Sequence, residues 1–290
     1  MSSRVFDLPY RPRAEAQGAF GPRHDHDGGQ AGAFLADLGD QIDLWTISLD
    51  GDVASADRQA SLLSADEAAR ASRFRMMGDR RRFAAGRAGL RRILAAYLRA
   101  DPASLDFSYG PAGKPELAGQ PSTSGLRFNL SHSEGWALLA VTRGRAVGVD
   151  LERMRAGRDL AAIAGRFFAP AEAAALAGFS PPLHDEAFFA IWTRKEALLK
   201  AFGAGLSLPL DGFCVSADPR QPAQLISIAC RPGEFDRWSL LDVLLGPTLA
   251  QGFRAALAIE GRPRACRHFR LGEHPVEAST CRGVPPSAGC

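Results

Sequence analysis

Two segments of the chain carry carboxylates and a lysine at spacings that suit phosphate chemistry. Asp150 and Glu152 lie two residues apart, and Glu196 and Lys200 lie four residues apart further along the chain. Three carboxylates suit Mg²⁺ or Mn²⁺, with phosphate oxygens and water completing the coordination shell. A lysine one helical turn from a metal ligand can neutralise charge that develops on a phosphate oxygen. The pattern therefore indicates a site that holds a divalent cation against a phosphate.

The first pair of carboxylates is predicted to lie on a β-strand. Residues two apart on a strand face the same side, so Val147, Val149 and Leu151 would face a core. Asp150 and Glu152 would then face the opposite side, with Cα atoms about 7 Å apart, which is close enough to share a cation. A solvated strand face would explain the same alternation without any metal.

The second pair is predicted to lie on a long helix over residues 185–202. Apolar side chains form a wide stripe along this segment, as a helix that packs on a core requires. Glu196 and Lys200 are neighbours at the border of the stripe, and a simple ion pair there would contribute only about 0.2–0.5 kcal/mol. The chain has only three lysines, Lys114, Lys195 and Lys200, among 35 basic residues. Where arginine is the usual base, a lysine indicates a need for a compact ammonium group.

Other residues are typical of sites for phosphorylated ligands, although each also has a structural explanation. Ser131 and His132 follow a buried segment, where a histidine among hydroxyls suits a phosphate or a structural contact. The turn-rich loop 110–115 carries Lys114 and could clamp a nucleotide. Ten arginines fall within residues 70–99, and guanidinium groups bind phosphate through paired hydrogen bonds. A solvated arginine-rich pair of helices is the alternative.

The composition is that of a globular protein. Hydrophobic residues make up 46% and charged residues 23% of the 290 residues, which is ordinary for such proteins. No apolar run is long enough for a membrane helix, and no signal peptide is evident, so we expect a cytoplasmic protein without a membrane partner. The net charge of +3 does not point to nucleic acid. The five widely spaced cysteines favour reduced thiols over disulfides or a zinc site.

The order of predicted elements indicates an α+β fold. Helices and strands mix in both parts of the chain without the regular alternation of a doubly wound fold. Residues 1–40 are predicted to be a flexible N-terminal extension and residues 263–290 a flexible tail. Between them, residues 41–147 would form an N-terminal half and residues 148–262 a C-terminal half that carries the metal site.

The chain resembles the 4′-phosphopantetheinyl transferases of the surfactin-synthetase-activating type. The matching segments are residues 113–115, 128–133, 148–152, 167–172, 192–200 and 205–210. The resemblance covers about residues 40–260 and implies a pseudo-twofold pair of similar α+β halves with the ligand between them. It also implies transfer of the 4′-phosphopantetheine arm of coenzyme A to a serine of an apo carrier protein, with release of adenosine 3′,5′-bisphosphate. This is the activity of a holo-acyl-carrier-protein synthase.

The resemblance implies roles for the acidic residues and for one lysine. Asp150, Glu152 and Glu196 would hold Mg²⁺, or Mn²⁺, against the pyrophosphate of coenzyme A. Lys200 would contact the same pyrophosphate and steady the leaving group. Glu172 would lie near the site and help to deprotonate the serine. Either a carboxylate such as Glu196 or a metal-bound water must take the serine proton.

The resemblance also implies the coenzyme A contacts and the partners. Ser131 and His132 would bind phosphates of coenzyme A, Arg82 would bind the 3′-phosphate, and Lys114 would flank the adenine. Peptidyl, acyl and aryl carrier proteins would be the partners, and two halves in one chain imply that a monomer suffices. A non-catalytic module that binds coenzyme A or carrier proteins is the alternative. A nucleotide phosphodiesterase is disfavoured because no second metal site or dedicated water-activating base is evident.

Overall fold

The computed structural model describes residues 38–51, 53–155, 159–203, 208–229 and 233–271. The strands are β1 (Gln41–Ser48), β2 (Phe107–Tyr109), β3 (Pro115–Leu117), β4 (Leu126–Ser133), β5 (Trp136–Arg143), β6 (Val147–Arg153), β7 (Phe213–Val215), β8 (Leu225–Ile228), β9 (Trp238–Asp242), β10 (Phe253–Glu260) and β11 (Ala265–Arg270). The helices are α1 (Val53–Ala60), α2 (Ala65–Ser72), α3 (Met77–Leu98), α4 (Leu160–Phe167), α5 (Pro170–Ala177), α6 (Leu183–Phe202) and α7 (Pro247–Ala250). This mixture confirms the predicted α+β class.

Two sheets form the centre of the molecule. The first has the strand order β11-β1-β5-β4, and the second has the order β6-β10-β9. Successive side chains of a strand point to opposite faces of its sheet, so alternate residues pack into different hydrophobic cores. Leu44 and Leu138 of the first sheet pack with Val149 and Leu257 of the second. The predicted core face of β6 is therefore confirmed, and it lies between the sheets.

Helices cover the outer faces of the two sheets. Leu90 and Leu94 of α3 pack on the first sheet with Leu139. Leu198 of α6 packs on the second sheet with Ala256, in a core that also contains many aromatic residues. Helix, sheet, sheet and helix therefore follow one another as layers, and the acidic face of β6 points toward α6.

Side chains join β4 to β6 where the two sheets meet. The polar side chains of Asn129, Ser131 and Ser133 accept hydrogen bonds from the backbone N–H groups of Val149, Leu151 and Arg153, at 2.8, 3.3 and 3.0 Å. Side chains on the same face of β4 recur every two residues, and so do the backbone N–H groups of β6 that face them. Each of these three side chains therefore accepts a hydrogen bond from one such N–H group. This junction explains the polar alternation of residues 128–133 and fixes Ser131 and Ser133 beside the acids of β6.

The start of the predicted tail is part of the first sheet. Strand β11 pairs in parallel with β1, from Gln41 beside Ala265 to Thr46 beside Arg270. Arg267 donates two hydrogen bonds, at 2.7 and 3.0 Å, to the buried carboxylate of Asp43. The prediction of a flexible tail from residue 263 is therefore wrong for residues 263–271, because the pairing with β1 and the ion pair with buried Asp43 hold this segment. Residues 272–290 of that tail, and residues 1–37 of the predicted extension, lie outside the described residues.

Among the described residues, no helix is both long enough and apolar enough to cross a membrane.

Candidate active site

The site forms where helix α6 crosses strand β6. Gly148 makes this crossing close, because a Cβ at this position would lie 2.1 Å from the Ala197 carbonyl oxygen and 2.3 Å from the Ala201 nitrogen. No real side chain tolerates such distances, so the helix rests directly on the strand backbone. The crossing brings Lys200 of α6 beside Asp150 of β6.

Asp150 lies at the centre of a buried hydrogen-bond network. The residue is only 3% exposed. The Oδ1 atom accepts hydrogen bonds from the Lys200 ammonium at 2.5 Å and from the Ser131 hydroxyl at 2.9 Å. Lys200 also donates to the Ser131 oxygen at 2.9 Å. The other carboxylate oxygen, Oδ2, is buried and has no hydrogen-bond partner within the described part of the chain.

The two glutamates beside Asp150 have unusual protonation equilibria. Burial, followed by the charge of Asp150, raises the pKa of Glu152 to about 7. The same two causes raise the pKa of Glu196 to about 7. Burial would lower the pKa of Lys200, but the charges of Asp150 and Glu196 outweigh burial and raise that pKa. One ammonium thus faces three carboxylates, and the cluster carries an excess of negative charge.

A divalent cation fits this donor set. One oxygen of Asp150 has no hydrogen-bond partner among the described residues, and the pKa values of Glu152 and Glu196 are raised. Both observations indicate that these carboxylates lack sufficient positive charge nearby. Within the described residues, no group of three or more His, Cys, Asp or Glu side chains is placed to hold a metal ion. Mg²⁺ does not need three protein ligands, because it typically binds one or two carboxylates and takes its other ligands from water and substrate phosphates.

A cleft of about 600 Å³ reaches the acidic cluster at Glu152. Glu152 and Ser133 lie in its wall near the cluster, and Arg82 and His132 also line it. Further lining residues include cations and aromatic rings, among them Arg70, Phe74, Phe83, Arg87, Tyr109, Arg153, Arg155, Phe188, Phe189 and Trp192. The combination suits a ligand that has both phosphate groups and apolar or ring-shaped parts.

The arginine-rich helices divide into structural and cleft-lining residues. Arg87 and Arg91 are buried and both donate to Glu67, which is also buried. Burial opposes ionisation of Glu67, but the two guanidinium groups outweigh it and lower the pKa of this carboxyl. Arg82 and Arg70 line the cleft, and Arg87 does so as well. Arg87 and Arg91 are therefore structural residues rather than solvated ones, and phosphate binding by Arg70 and Arg82 stays a prediction.

Sequence reasoning missed the partners that hold some of the predicted residues. Arg82 donates from Nε and Nη2 to the carboxylate of Asp50, at 2.7 and 2.9 Å. Ser133 donates to Glu152 at 3.2 Å. The polar alternation at residues 129, 131 and 133 was the signal that could have revealed Ser133. No local pattern marks Asp50, because it lies 32 positions from its partner along the chain.

The structure places Lys114 at the α6–β6 crossing. Its ammonium donates to the carbonyl oxygens of Val147 and Lys200, at 2.9 and 2.8 Å. Burial lowers the pKa of Lys114 to about 8. Its neighbours Gly113 and Pro115 line the cleft. The predicted contact of Lys114 with an adenine ring stays a prediction, as do the phosphate contacts of Arg82, Ser131 and His132.

Glu172 makes its hydrogen bonds outside the acidic cluster, and these contacts argue against its predicted role. It is 1% exposed, and Lys195 donates to it at 2.8 Å. The backbone N–H groups of Val215 and Ala169 also donate to its carboxylate, at 2.7 and 2.8 Å. The three hydrogen bonds and the burial leave this carboxylate little access to a substrate hydroxyl. Glu172 instead anchors α5 to α6 and β7.

Comparison with known proteins identifies the family. Residues 146–258 match the model of the 4′-phosphopantetheinyl transferase superfamily, and residues 53–144 match that of the 4′-phosphopantetheinyl transferase N-terminal domain. The chain is 42% identical over 207 residues to the 4′-phosphopantetheinyl transferase HetI of Nostoc sp., covering 71% of this chain and 84% of that protein.

Two proteins of Bacillus subtilis are also similar. One, a 4′-phosphopantetheinyl transferase, is 35% identical over 159 residues, covering 55% of this chain and 68% of that protein. The other, the 4′-phosphopantetheinyl transferase Sfp, is 30% identical over 159 residues with the same coverage of both chains. The family recognised from the sequence segments is confirmed, and this chain belongs to the 4′-phosphopantetheinyl transferase superfamily.

Proposed function

We propose that this enzyme transfers the 4′-phosphopantetheine arm of coenzyme A to a serine of an apo carrier protein, in a Mg²⁺-dependent reaction that releases adenosine 3′,5′-bisphosphate. The observation that carries the proposal is the state of Asp150, with one oxygen on Lys200 and the other buried without a hydrogen-bond partner among the described residues. A carboxylate in this state suits a cation that arrives together with its substrate. Membership of the family supplies the reaction class.

Asp150, Glu152 and Glu196 would hold the cation. When bound, Mg²⁺ would act as a Lewis acid toward the pyrophosphate of coenzyme A. The three carboxylates come from two rigid elements, and the close contact at Gly148 fixes the distance between those elements. Such preorganisation limits the rearrangement that the protein undergoes during the reaction.

Lys200 would stabilise the leaving group. The serine oxygen forms a bond to the phosphorus that carries the pantetheine arm, and the bond from this phosphorus to the oxygen of the 5′-phosphate breaks. Negative charge grows on that leaving oxygen. The Lys200 ammonium is held on Asp150 and Ser131 at the edge of the cluster, and it would donate to the leaving oxygen.

Glu196 is our candidate for the group that accepts the serine proton. Burial and the charge of Asp150 raise its pKa to about 7 in the cation-free protein, so this carboxyl can take up a proton near neutral pH, and a bound cation would lower that pKa. Glu196 lies on α6 close enough for the charge of Asp150 to act on it, so a serine brought to the acidic cluster would meet both carboxylates. Because Lys195 and the backbone of Val215 engage Glu172, we consider Glu196 and Glu152 as the acidic candidates for this step.

Arg82 and His132 would bind phosphates of coenzyme A in the cleft, with Ser131 at the pyrophosphate and Lys114 near the adenine. The partners would be peptidyl, acyl or aryl carrier proteins, encountered in the cytoplasm by a monomer. Arg82 is well suited because Asp50 holds its guanidinium group through two hydrogen bonds. A guanidinium that is already oriented loses less freedom when it binds a phosphate.

Release of adenosine 3′,5′-bisphosphate tests this proposal against its alternatives. Coenzyme A and Mg²⁺ are incubated with the enzyme, with or without an apo carrier protein, and the nucleotides are separated by chromatography. We expect one adenosine 3′,5′-bisphosphate per modified carrier and none without a carrier. Release without a carrier would indicate a phosphodiesterase. If no adenosine 3′,5′-bisphosphate is released with peptidyl, acyl or aryl carriers, the protein is a non-catalytic module that binds coenzyme A or carrier proteins.

A further inference from the structure

Lys114 joins three elements that meet behind the acidic cluster. It lies in the loop between β2 and β3, whereas its two acceptors lie on β6 and α6. One acceptor is the carbonyl of Val147 at the first residue of β6, and the other is the carbonyl of Lys200 in the last turn of α6. The same Lys200 oxygen also accepts the N–H of Gly203, at 3.3 Å.

Both contacts are ones that an ammonium group makes well. The last carbonyls of a helix have no partner within the helix and carry partial negative charge, so a cation near them is favourable. The first residue of β6 similarly leaves a carbonyl at the edge of the sheet. A single Nζ atom has three donors in a tetrahedral arrangement, and two of them reach these two oxygens. The ammonium thus fixes the end of α6 to the start of β6.

The hydrogen bond from Lys114 to Val147 lies one residue from the place where α6 and β6 come closest. Val147 precedes Gly148, where the helix and the strand backbones touch. Lys200 itself supplies both the carbonyl that Lys114 holds and the ammonium that bonds to Asp150. A shift of the last turn of α6 away from β6 would therefore move the Lys200 ammonium away from Asp150.

We propose that Lys114 is a positioning residue, whose ammonium holds the last turn of α6 on β6 and thereby keeps the Lys200 ammonium on Asp150. This inference rests on the proposed function, since Lys200 is the group that would act on the leaving oxygen. It differs from the role in adenine binding that the family resemblance implies. Burial lowers the pKa of Lys114 to about 8, which shows that the protein holds this charge in a poorly solvated place.

The two roles for Lys114 predict different kinetics. If Lys114 positions Lys200, Lys114→Met should lower kcat about 10- to 100-fold, because displacements of about 1 Å at a catalytic group have effects of this size. The KM for coenzyme A and the Kd for adenosine 3′,5′-bisphosphate should change less than about threefold. If Lys114 binds adenine, both constants should rise at least tenfold while kcat changes little, and this outcome would overturn the proposal.

Arg127→Met is the matched control. Arg127 is exposed on β4 and lies close enough for its charge to lower the pKa of Lys114. The variant removes one positive charge from the same region but no bond to β6 or α6, so its kcat should stay near that of the wild type. Lys114→Arg, which retains a cation able to donate to two carbonyls, should recover most of the lost kcat.

A crystal structure of the Lys114→Met protein separates this inference from the proposed function. We expect the Lys200 Nζ to Asp150 Oδ1 distance to exceed hydrogen-bond length. An unchanged contact would refute the positioning role even if the enzyme proved inactive toward every carrier. Should Lys114→Met fail to fold, Lys114→Gln, which can still donate to one carbonyl, gives the same measurement.

Discussion

Gly148 and Ala197 touch through their backbones, because a Cβ on Gly148 would lie 2.1 Å from the Ala197 carbonyl oxygen. This contact sets the separation of the two elements that carry the acidic cluster. It therefore couples packing to chemistry: any side chain at residue 148 must push α6 away from β6, and Lys200 away from Asp150.

Gly148→Ala should impair both stability and catalysis. We expect a loss of about 1–3 kcal/mol in the free energy of unfolding, as is typical when a methyl group is forced into a packed site. The transfer rate of the folded protein should fall at least about 100-fold, since the catalytic groups separate. Urea unfolding and single-turnover transfer rates measure the two effects.

Gly165→Ala is the control for this change. Gly165 lies within helix α4, and a Cβ there would meet nothing within 4 Å. The variant should therefore keep full activity and gain about 0.5–1 kcal/mol of stability, because alanine favours the helix. Equal activity in the two variants would show that the close crossing is not needed for transfer.

Asp150→Asn and Lys200→Met should each lower the transfer rate about 100- to 1000-fold while the protein stays folded. Asparagine cannot neutralise a cation, and methionine cannot donate to the leaving oxygen. Because both side chains belong to one network, the double variant should be little slower than either single variant. Losses that multiply in the double variant would show that the two residues act independently.

Glu172→Gln should affect stability rather than chemistry. The substitution leaves the buried ammonium of Lys195 without its counter-charge, and breaking a buried pair in this way costs about 3–5 kcal/mol. The folded fraction should keep a kcat within about threefold of the wild type. A stable, folded and inactive Glu172→Gln protein would restore the catalytic role that the structure argues against.

The pKa of Lys114 predicts a pH dependence of stability. In the folded protein burial lowers this pKa from 10.5 to about 8, so between these two pH values the unfolded chain binds more protons at this residue. The contribution of Lys114 to stability should therefore rise as the pH increases from about 8 to about 10.5. The difference in unfolding free energy between the wild type and Lys114→Met isolates this contribution. A difference that falls as the pH rises would contradict a lowered pKa of Lys114 in the folded protein.

Local patterns in the sequence predicted most of the elements and the acidic cluster. The period of two in β6 predicted both its core face and the shared direction of Asp150 and Glu152. The apolar stripe of α6 predicted a helix packed on a core, with Glu196 and Lys200 at its border. These inferences succeeded because they depend on neighbours within one or two turns of chain.

Contacts between distant residues could not be predicted from local patterns. Strand β11 is short and depends on a partner more than 200 positions away, since Arg267 bonds to Asp43. The burial of Glu172 likewise depends on Lys195 and on the N–H group of Val215. The scarcity of lysine was nevertheless informative, because Lys114, Lys195 and Lys200 each hold specific oxygen acceptors.

Intact-mass spectrometry of an apo carrier protein tests the central claim most directly. The carrier is incubated with coenzyme A and with either the wild type or Asp150→Asn, in the presence of Mg²⁺ or of a chelator. We predict a gain of one phosphopantetheine group only with the wild type and Mg²⁺. Full modification in the chelator, or by folded Asp150→Asn at the wild-type rate, would contradict the assignment of a cation site at Asp150.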